Sequence, residues 1–179
     1  MYAGKMLMRK LLLGILLLVS LTNSFAAEDV AQRRRLAGHP ATSQQVFQQL
    51  VTDPDWQVRE ILGRNRKLSV PLLEQLASDQ HAAVRIAVAT NLATTEKIFL
   101  KLAKDSDLSV RSVVARFEYV PVSALAVLAQ DPAAAIRLEV ARNLNSSAVI
   151  LQTLQQDKDP DVTATATQAL QRLRDEAGQ

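Results

Sequence analysis

The sequence predicts an all-α chain: a right- or left-handed superhelical α-solenoid of about five and a half 26-residue two-helix repeats, preceded by a signal peptide. Three observations predict it. Hydrophobic-arginine pairs recur every 26 residues at Val58-Arg59, Val84-Arg85, Val110-Arg111 and Ile136-Arg137, and once more as Val162-Thr163, where the arginine is lost. An aspartate leads each pair by five residues, at Asp53, Asp79, Asp105, Asp131 and Asp157. Leucines keep the same step at Leu50, Leu76, Leu102, Leu128 and Leu154. Three independent columns sharing one period mark a repeat array, and that reading precedes any other.

The chain opens with Lys5, Arg9 and Lys10, then the apolar run "LLLGILLLVSL", then "TNSFA". Charged, apolar, then small residues is the order of a secretory signal, and cleavage after Ala26 puts Ser24 and Ala26 at the two specificity positions. The apolar run spans residues 11–21, shorter than the roughly 20 residues a spanning helix needs. An inner-membrane anchor over those residues is the alternative to cleavage. The expected domains are thus a signal peptide at 1–26 and one repeat domain at 27–179, in an exported, periplasmic protein.

Of the 21 Lys and Arg residues, Lys5, Arg9 and Lys10 precede the cleavage site, so the mature chain balances 18 basic against 18 acidic residues. The basic pI therefore belongs to the precursor, and nucleic acid is disfavoured as a partner. Contact with a membrane is expected only through an uncleaved signal segment. The chain contains no cysteine, which excludes disulfides, thiol catalysis and cysteine-held metal.

Residues 31–52 read as a half unit: "VFQQLV" supplies a second helix, while "QRRRLAG" makes an unusually basic first one. Full units follow at 53–78, 79–104, 105–130 and 131–156. In each, a first helix such as "VREILGRN" carries Val58, Ile61 and Leu62 at i, i+3, i+4 spacing, and a second such as "SVPLLEQLA" carries Leu72, Leu73 and Leu76. Asp53-Pro54 and Asp131-Pro132 suggest an N-cap followed by a first-turn proline. Ser43, Ser69, Thr95 and Ser147 stand where caps of the second helices are needed. Residues 157–176 keep Val162, Ala166, Ala169 and Leu173 on one face and are polar elsewhere, as a terminal cap requires.

The stretches "DPDWQVRE", "HAAVRIAVATNLATTEKIFLKLAKD" and "AAAIRLEVARNLNSSAVILQTL" resemble the leucine-rich repeat variant family, and are similar to short HEAT-like repeats. The likeness covers roughly residues 31–176. It rests on the Asp, Val-Arg, Val-Ala-x-Asn, Thr and Leu-x-x-Leu-Ala pattern, which Asn91 with Thr94 matches and Asn143 with Ser146 nearly matches. His39 stands where the pattern has Asn. Leu68 departs from the Thr column, and so does the whole segment "FEYVP". The resemblance implies a curved or twisted stack of alternating helices. Some members of the family carry a cysteine-bound iron–sulfur domain, which this chain cannot.

Because the ladder residues Asp53, Asp79, Asp105, Asp131 and Asp157, with Arg59, Arg85, Arg111 and Arg137, recur in every unit, they belong to stacking: the aspartate caps and the arginine bridges to a neighbour. His39 and His81, the only histidines, occupy different repeat positions and have no third ligand, so no metal is expected. There is no catalytic constellation and no phosphate loop among the three glycines after the signal, so neither enzyme chemistry nor a cofactor is expected.

The candidate partner-binding residues lie where the repeat departs from its own rule. Phe117 and Tyr119 place two aromatics at one turn, in a chain with five aromatics after the signal. Arg64, Arg66 and Lys67 occupy the corresponding turn of an earlier unit, and Arg116 and Arg142 repeat the Arg64 position, making a broken basic stripe that Arg33, Arg34 and Arg35 would extend. Trp56, beside an Asp-Pro turn, is expected to pack. These features predict a non-catalytic exported scaffold that binds an envelope protein through an extended solenoid face. The alternative is an anionic polymer or lipid head group held along the basic edge.

Overall fold

Each 26-residue period carries apolar residues at helical spacing twice, with a polar turn between, so each forms two short helices rather than one long one. The computed structural model describes residues 29–177, and among the described residues there are eleven α-helices and no strand. The first helices of successive units are α1 (Val30–Gly38), α3 (Trp56–Arg64), α5 (Ala82–Ala89), α7 (Leu108–Arg116), α9 (Ala134–Arg142) and the longer α11 (Pro160–Ala177). The second helices are α2 (Gln44–Leu50), α4 (Val70–Leu76), α6 (Glu96–Leu102), α8 (Val122–Leu128) and α10 (Ala148–Leu154). The fold is all-α and repeat-like. The signal segment and its anchor alternative lie outside the described residues. Among the described residues, no helix is long and apolar enough to cross a membrane.

Every first helix packs on the first helix of the next unit, from α1 on α3 through to α9 on α11. Small residues permit this close approach. Ala37, Gly63, Ala89, Ala115 and Ala141 share one register position and all are buried. At Gly63 an added Cβ would stand 3.1 Å from the Cβ of Ala87 on the adjoining first helix. The second helices meet through larger side chains: Phe47, Leu73, Phe99, Leu125 and Leu151 share a buried position. The column Leu50, Leu76, Leu102, Leu128 and Leu154 is at most 1% exposed throughout. One continuous core results, because a single helix pair has no way to bury its own apolar face.

The second helices begin as expected, with Ser43, Ser69, Thr95 and Ser147 at their N-caps. Only Ser43 and Ser147 of these use the side chain, accepting from the amides of Val46 and Ile150. For the first helices the expected Asp-Pro caps need correcting. α3 starts at Trp56 with Asp55 as its N-cap, and α9 starts at Ala134 with Ala133 there. Asp53 and Asp131 lie two residues earlier, each accepting from the amide two positions on, at 2.9 Å. They shape the turn and leave the helix end to another residue.

Residues 31–52 carry both helices expected of the half unit, α1 over "QRRRLAG" and α2 over "VFQQL". The strongly basic first helix is explained by Arg33, which lies one period before Arg59 and fills the same buried position.

Candidate functional site

The two ends of the helices make two edges, and the charged columns sort between them. On the edge formed by turns from second to first helices, a ladder of ion pairs ties each unit to the next. Arg33–Asp53, Arg59–Asp79, Arg85–Asp105, Arg111–Asp131 and Arg137–Asp157 meet at 2.6–2.7 Å, with every side chain 13% exposed or less. A second guanidinium nitrogen of Arg85 and of Arg137 completes a bidentate bond at 2.8 and 2.7 Å. The remaining nitrogen donates back to the main-chain carbonyl of the arginine's own unit, as Arg111 does to Asp105 at 2.8 Å. Each aspartate in turn accepts from an amide of its turn, as Asp79 does from His81 at 2.8 Å.

Hydrogen bonding to the facing carboxylate pushes the guanidinium pKa of Arg59, Arg85, Arg111 and Arg137 up. The bond from Arg137 holds Asp157 below the usual carboxylate value. Burial alone would raise Asp79, but the Arg59 bond and the His81 amide outweigh it and leave that carboxyl below its ordinary value. In the last unit Thr163 replaces the arginine, and its hydroxyl donates to the Asp157 carbonyl at 3.0 Å. Thr163 thus keeps the contact to the carbonyl of its own unit that the ladder arginines also make.

On the opposite edge, formed by turns from first to second helices, the ladder is made of asparagines. Asn65, Asn91 and Asn143 are buried, and each side-chain amide donates to two main-chain carbonyls of the preceding unit. For Asn91 these are Gly63 and Asn65, at 2.7 and 3.0 Å. Each asparagine also accepts from the amide two residues on. His39 takes the same register position, and its Nδ1 accepts from Ala41 in the same way. His39 is therefore a turn residue. His81 lies on the other edge, its ring stacked on Trp56 with centroids 4.3 Å apart and planes at 5°. Trp56 packs as expected. Among the described residues no three His, Asp or Glu side chains group as metal ligands would.

Phe117 occupies the asparagine position of the fourth unit, so this rung has no amide. By register an asparagine there would reach the carbonyls of Ala89 and Asn91, and Phe117 has no amide to offer them. Phe117 is half-buried, stacks on Phe99 at 5.8 Å and meets Tyr119 edge-on at 5.7 Å. Phe117 thus joins core to surface, while Tyr119 is 62% exposed. Leu68 and Val120 replace the Thr or Ser of other units and are buried, where Thr94 and Ser146 instead donate to the carbonyls of Val88 and Val140.

Arg116 and Arg142 flank this turn, at the last positions of neighbouring helices α7 and α9. Together with Glu118, Tyr119, Leu144 and Asn145 they line one groove. Neither arginine side chain forms an ion pair or a hydrogen bond among the described residues. Arg64, Arg66 and Lys67 are exposed two units away on the same edge, and Arg64 is paired with Glu60 at 2.7 Å. Thr90 stands between Arg64 and Arg116 in the column, so the stripe is interrupted.

The expectation that Arg33, Arg34 and Arg35 extend the basic stripe is corrected. Arg33 is buried against Asp53, and Arg34 pairs with Asp55 at 2.7 Å. Arg35 alone of the three is exposed. Sequence reasoning missed Arg33 as the first rung of the ladder, although counting back one period from Arg59 finds it. It also missed Leu144 and Val149, which are 73% and 71% exposed and sit beside Tyr119 and Val122 in register. Compared with protein families, the chain matches no family model, and no curated protein matches it.

Proposed function

We propose that the protein is a non-catalytic exported scaffold, an α-solenoid related in pattern to leucine-rich repeat variant units. It holds another envelope protein at the edge built by Phe117, Tyr119 and Leu144. The observation that carries this reading is the 62% exposure of Tyr119 at the one turn among the full units where the asparagine rung is given up, in a groove shared with Leu144 of the next turn, itself 73% exposed. Such positions are costly to leave apolar in water and productive at an interface. The charged columns support the non-catalytic part, because their carboxylates and guanidinium groups face one another across unit boundaries and are engaged in stacking.

Binding of an anionic polymer or lipid along the basic edge has less support, since Thr90 interrupts the stripe and Glu60 neutralises Arg64. Photo-crosslinking in the native cell tests the scaffold reading directly. A benzophenone side chain placed at Leu144 should yield discrete protein adducts that the same group at Lys104, exposed on the opposite edge, does not. Identical patterns from both positions, or none from Leu144, would sink it.

A further inference from the structure

We infer that the groove between Arg116 and Arg142 receives a carboxylate of the bound protein segment, with an adjoining bulky apolar side chain seated on Tyr119 and Leu144. This inference rests on the scaffold reading and adds to it the chemistry of what is bound.

The contrast between these two arginines and the rest of their kind comes first. The five arginines of the ladder are saturated by carboxylates, and Arg64, in the same register column as Arg116 and Arg142, has Glu60. Arg116 and Arg142 have no such partner among the described residues, and they border one groove from two packed helices. Two arginines lining one groove match a carboxylate, which a guanidinium group can engage through paired N–H donors.

The groove's own acid leaves this demand unmet. Glu118 lines the groove beside Tyr119, whose phenol it holds above the ordinary pKa, and it forms no ion pair among the described residues. Glu139, one turn before Arg142, is half-buried and makes no ion pair among the described residues.

The surroundings then decide the class of anion. The two second helices on this side, "VSALAVL" in α8 and "AVILQTL" in α10, contain no charged residue, whereas α4 and α6 carry Glu74, Glu96, Lys97 and Lys101. Val122 and Val149 are 47% and 71% exposed, extending the apolar surface beyond Tyr119 and Leu144. The column that supplies the arginines has Thr90 on one side and Gln168 on the other, so the positive charge stops after two units. A polyanion or a membrane surface needs charge that continues. A polypeptide with an Asp or Glu next to a large apolar residue needs only one charged notch and an apolar floor, which this surface supplies.

Selection of a random peptide library on the purified protein, followed by anisotropy titration of the selected peptides as labelled synthetic probes, tests this. Selected peptides should carry Asp or Glu within a few residues of an aromatic or large aliphatic side chain. Affinity should fall about tenfold or more in Arg116→Gln/Arg142→Gln, given the usual strength of hydrogen bonds to charged groups, and equally when the peptide acid is replaced by its amide. Arg64→Gln should leave affinity unchanged. Tyr119→Ser/Leu144→Ser should abolish binding, and circular dichroism should show all variants equally helical. If peptides need Tyr119 and Leu144 but ignore the arginine pair, the carboxylate inference falls while the scaffold reading stands. If no peptide depends on Tyr119 and Leu144, or if vesicles with anionic head groups bind through the arginine pair and displace the peptides, both fall.

Discussion

Replacing Arg85 with methionine isolates one rung of the ion-pair ladder in the middle of the stack. The Arg85 side chain is 13% exposed and that of Asp105 is 8% exposed, and Arg85 Nε lies 2.7 Å from the carboxylate. Arg85→Met keeps most of the aliphatic packing but strands the Asp105 carboxylate and the Asp79 carbonyl, to which Arg85 donates at 2.7 Å. Breaking a buried pair from one side costs about 3–5 kcal/mol, and partial access to water at this edge places the expected loss near 3 kcal/mol. For a domain of this size that is a fall in Tm of about 6–12 °C.

The double variant Arg85→Met/Asp105→Leu should lose no more than either single variant, a coupling of about 3 kcal/mol, because no charge is then left buried alone. Lys97→Met, which breaks a pair whose lysine is 79% exposed, should change stability by less than about 0.5 kcal/mol. Urea titration followed by both far-ultraviolet dichroism and Trp56 fluorescence gives these values, provided the two transitions coincide. A loss under about 1 kcal/mol for Arg85→Met, or strict additivity in the double variant, would refute the view that the ladder holds adjacent units together.

Asn91→Ala should cost about 2–3 kcal/mol in the same titration, because it removes the side-chain partner of the Gly63 carbonyl and of the Ala93 amide and leaves the Asn65 carbonyl with the Leu68 amide alone. Leu128→Ala, at a site fully removed from solvent, should cost about 3 kcal/mol, as for other buried leucines. Stability should also fall in acid. Asp79 and Asp157 have folded-state pKa values below the ordinary one, so their contribution is complete above that value and is lost as the pH drops through the lowered one. Dichroism-monitored melts between pH 7 and pH 2 should therefore be flat in this respect down to about pH 4 and decline below it.

The repeat and its two helices per unit were legible in the sequence because every unit must solve the same packing problem. A Leu at each of positions 50, 76, 102, 128 and 154 is the visible trace of one interface used again and again. The direction of the ladder was partly legible: a bridge from arginine to a neighbouring unit was expected, but its exact partner depends on how far one unit is displaced from the next. The misplaced caps show the same limit on a smaller scale. Asp53-Pro54 fits a helix start by composition, yet Asp53 pairs with Arg33 and accepts from the Asp55 amide, and the cap is Asp55. Arg33 was hidden for a different reason: "RRR" reads as one basic cluster, although one arginine of the three is buried, one paired and one exposed.

The candidate site was legible only as an exception. A stack whose units are joined by five ion-pair rungs, a buried leucine column and a row of closely packed first helices tolerates the loss of one asparagine rung, because each remaining contact already fixes the register. That redundancy is what lets Phe117 stand in the asparagine position without disturbing its neighbours: Phe99 and Tyr119 take up the ring, and Val120 fills the space of the missing hydroxyl. The alteration turns a polar bridge between units into an aromatic support for Tyr119. Arg116 and Arg142 then differ from the ladder arginines because the register that feeds a carboxylate to Arg85 or Arg111 supplies none at the end of a first helix. In a repeat array the regular columns specify the fold, so selectivity for a partner has to reside in the residues that depart from them.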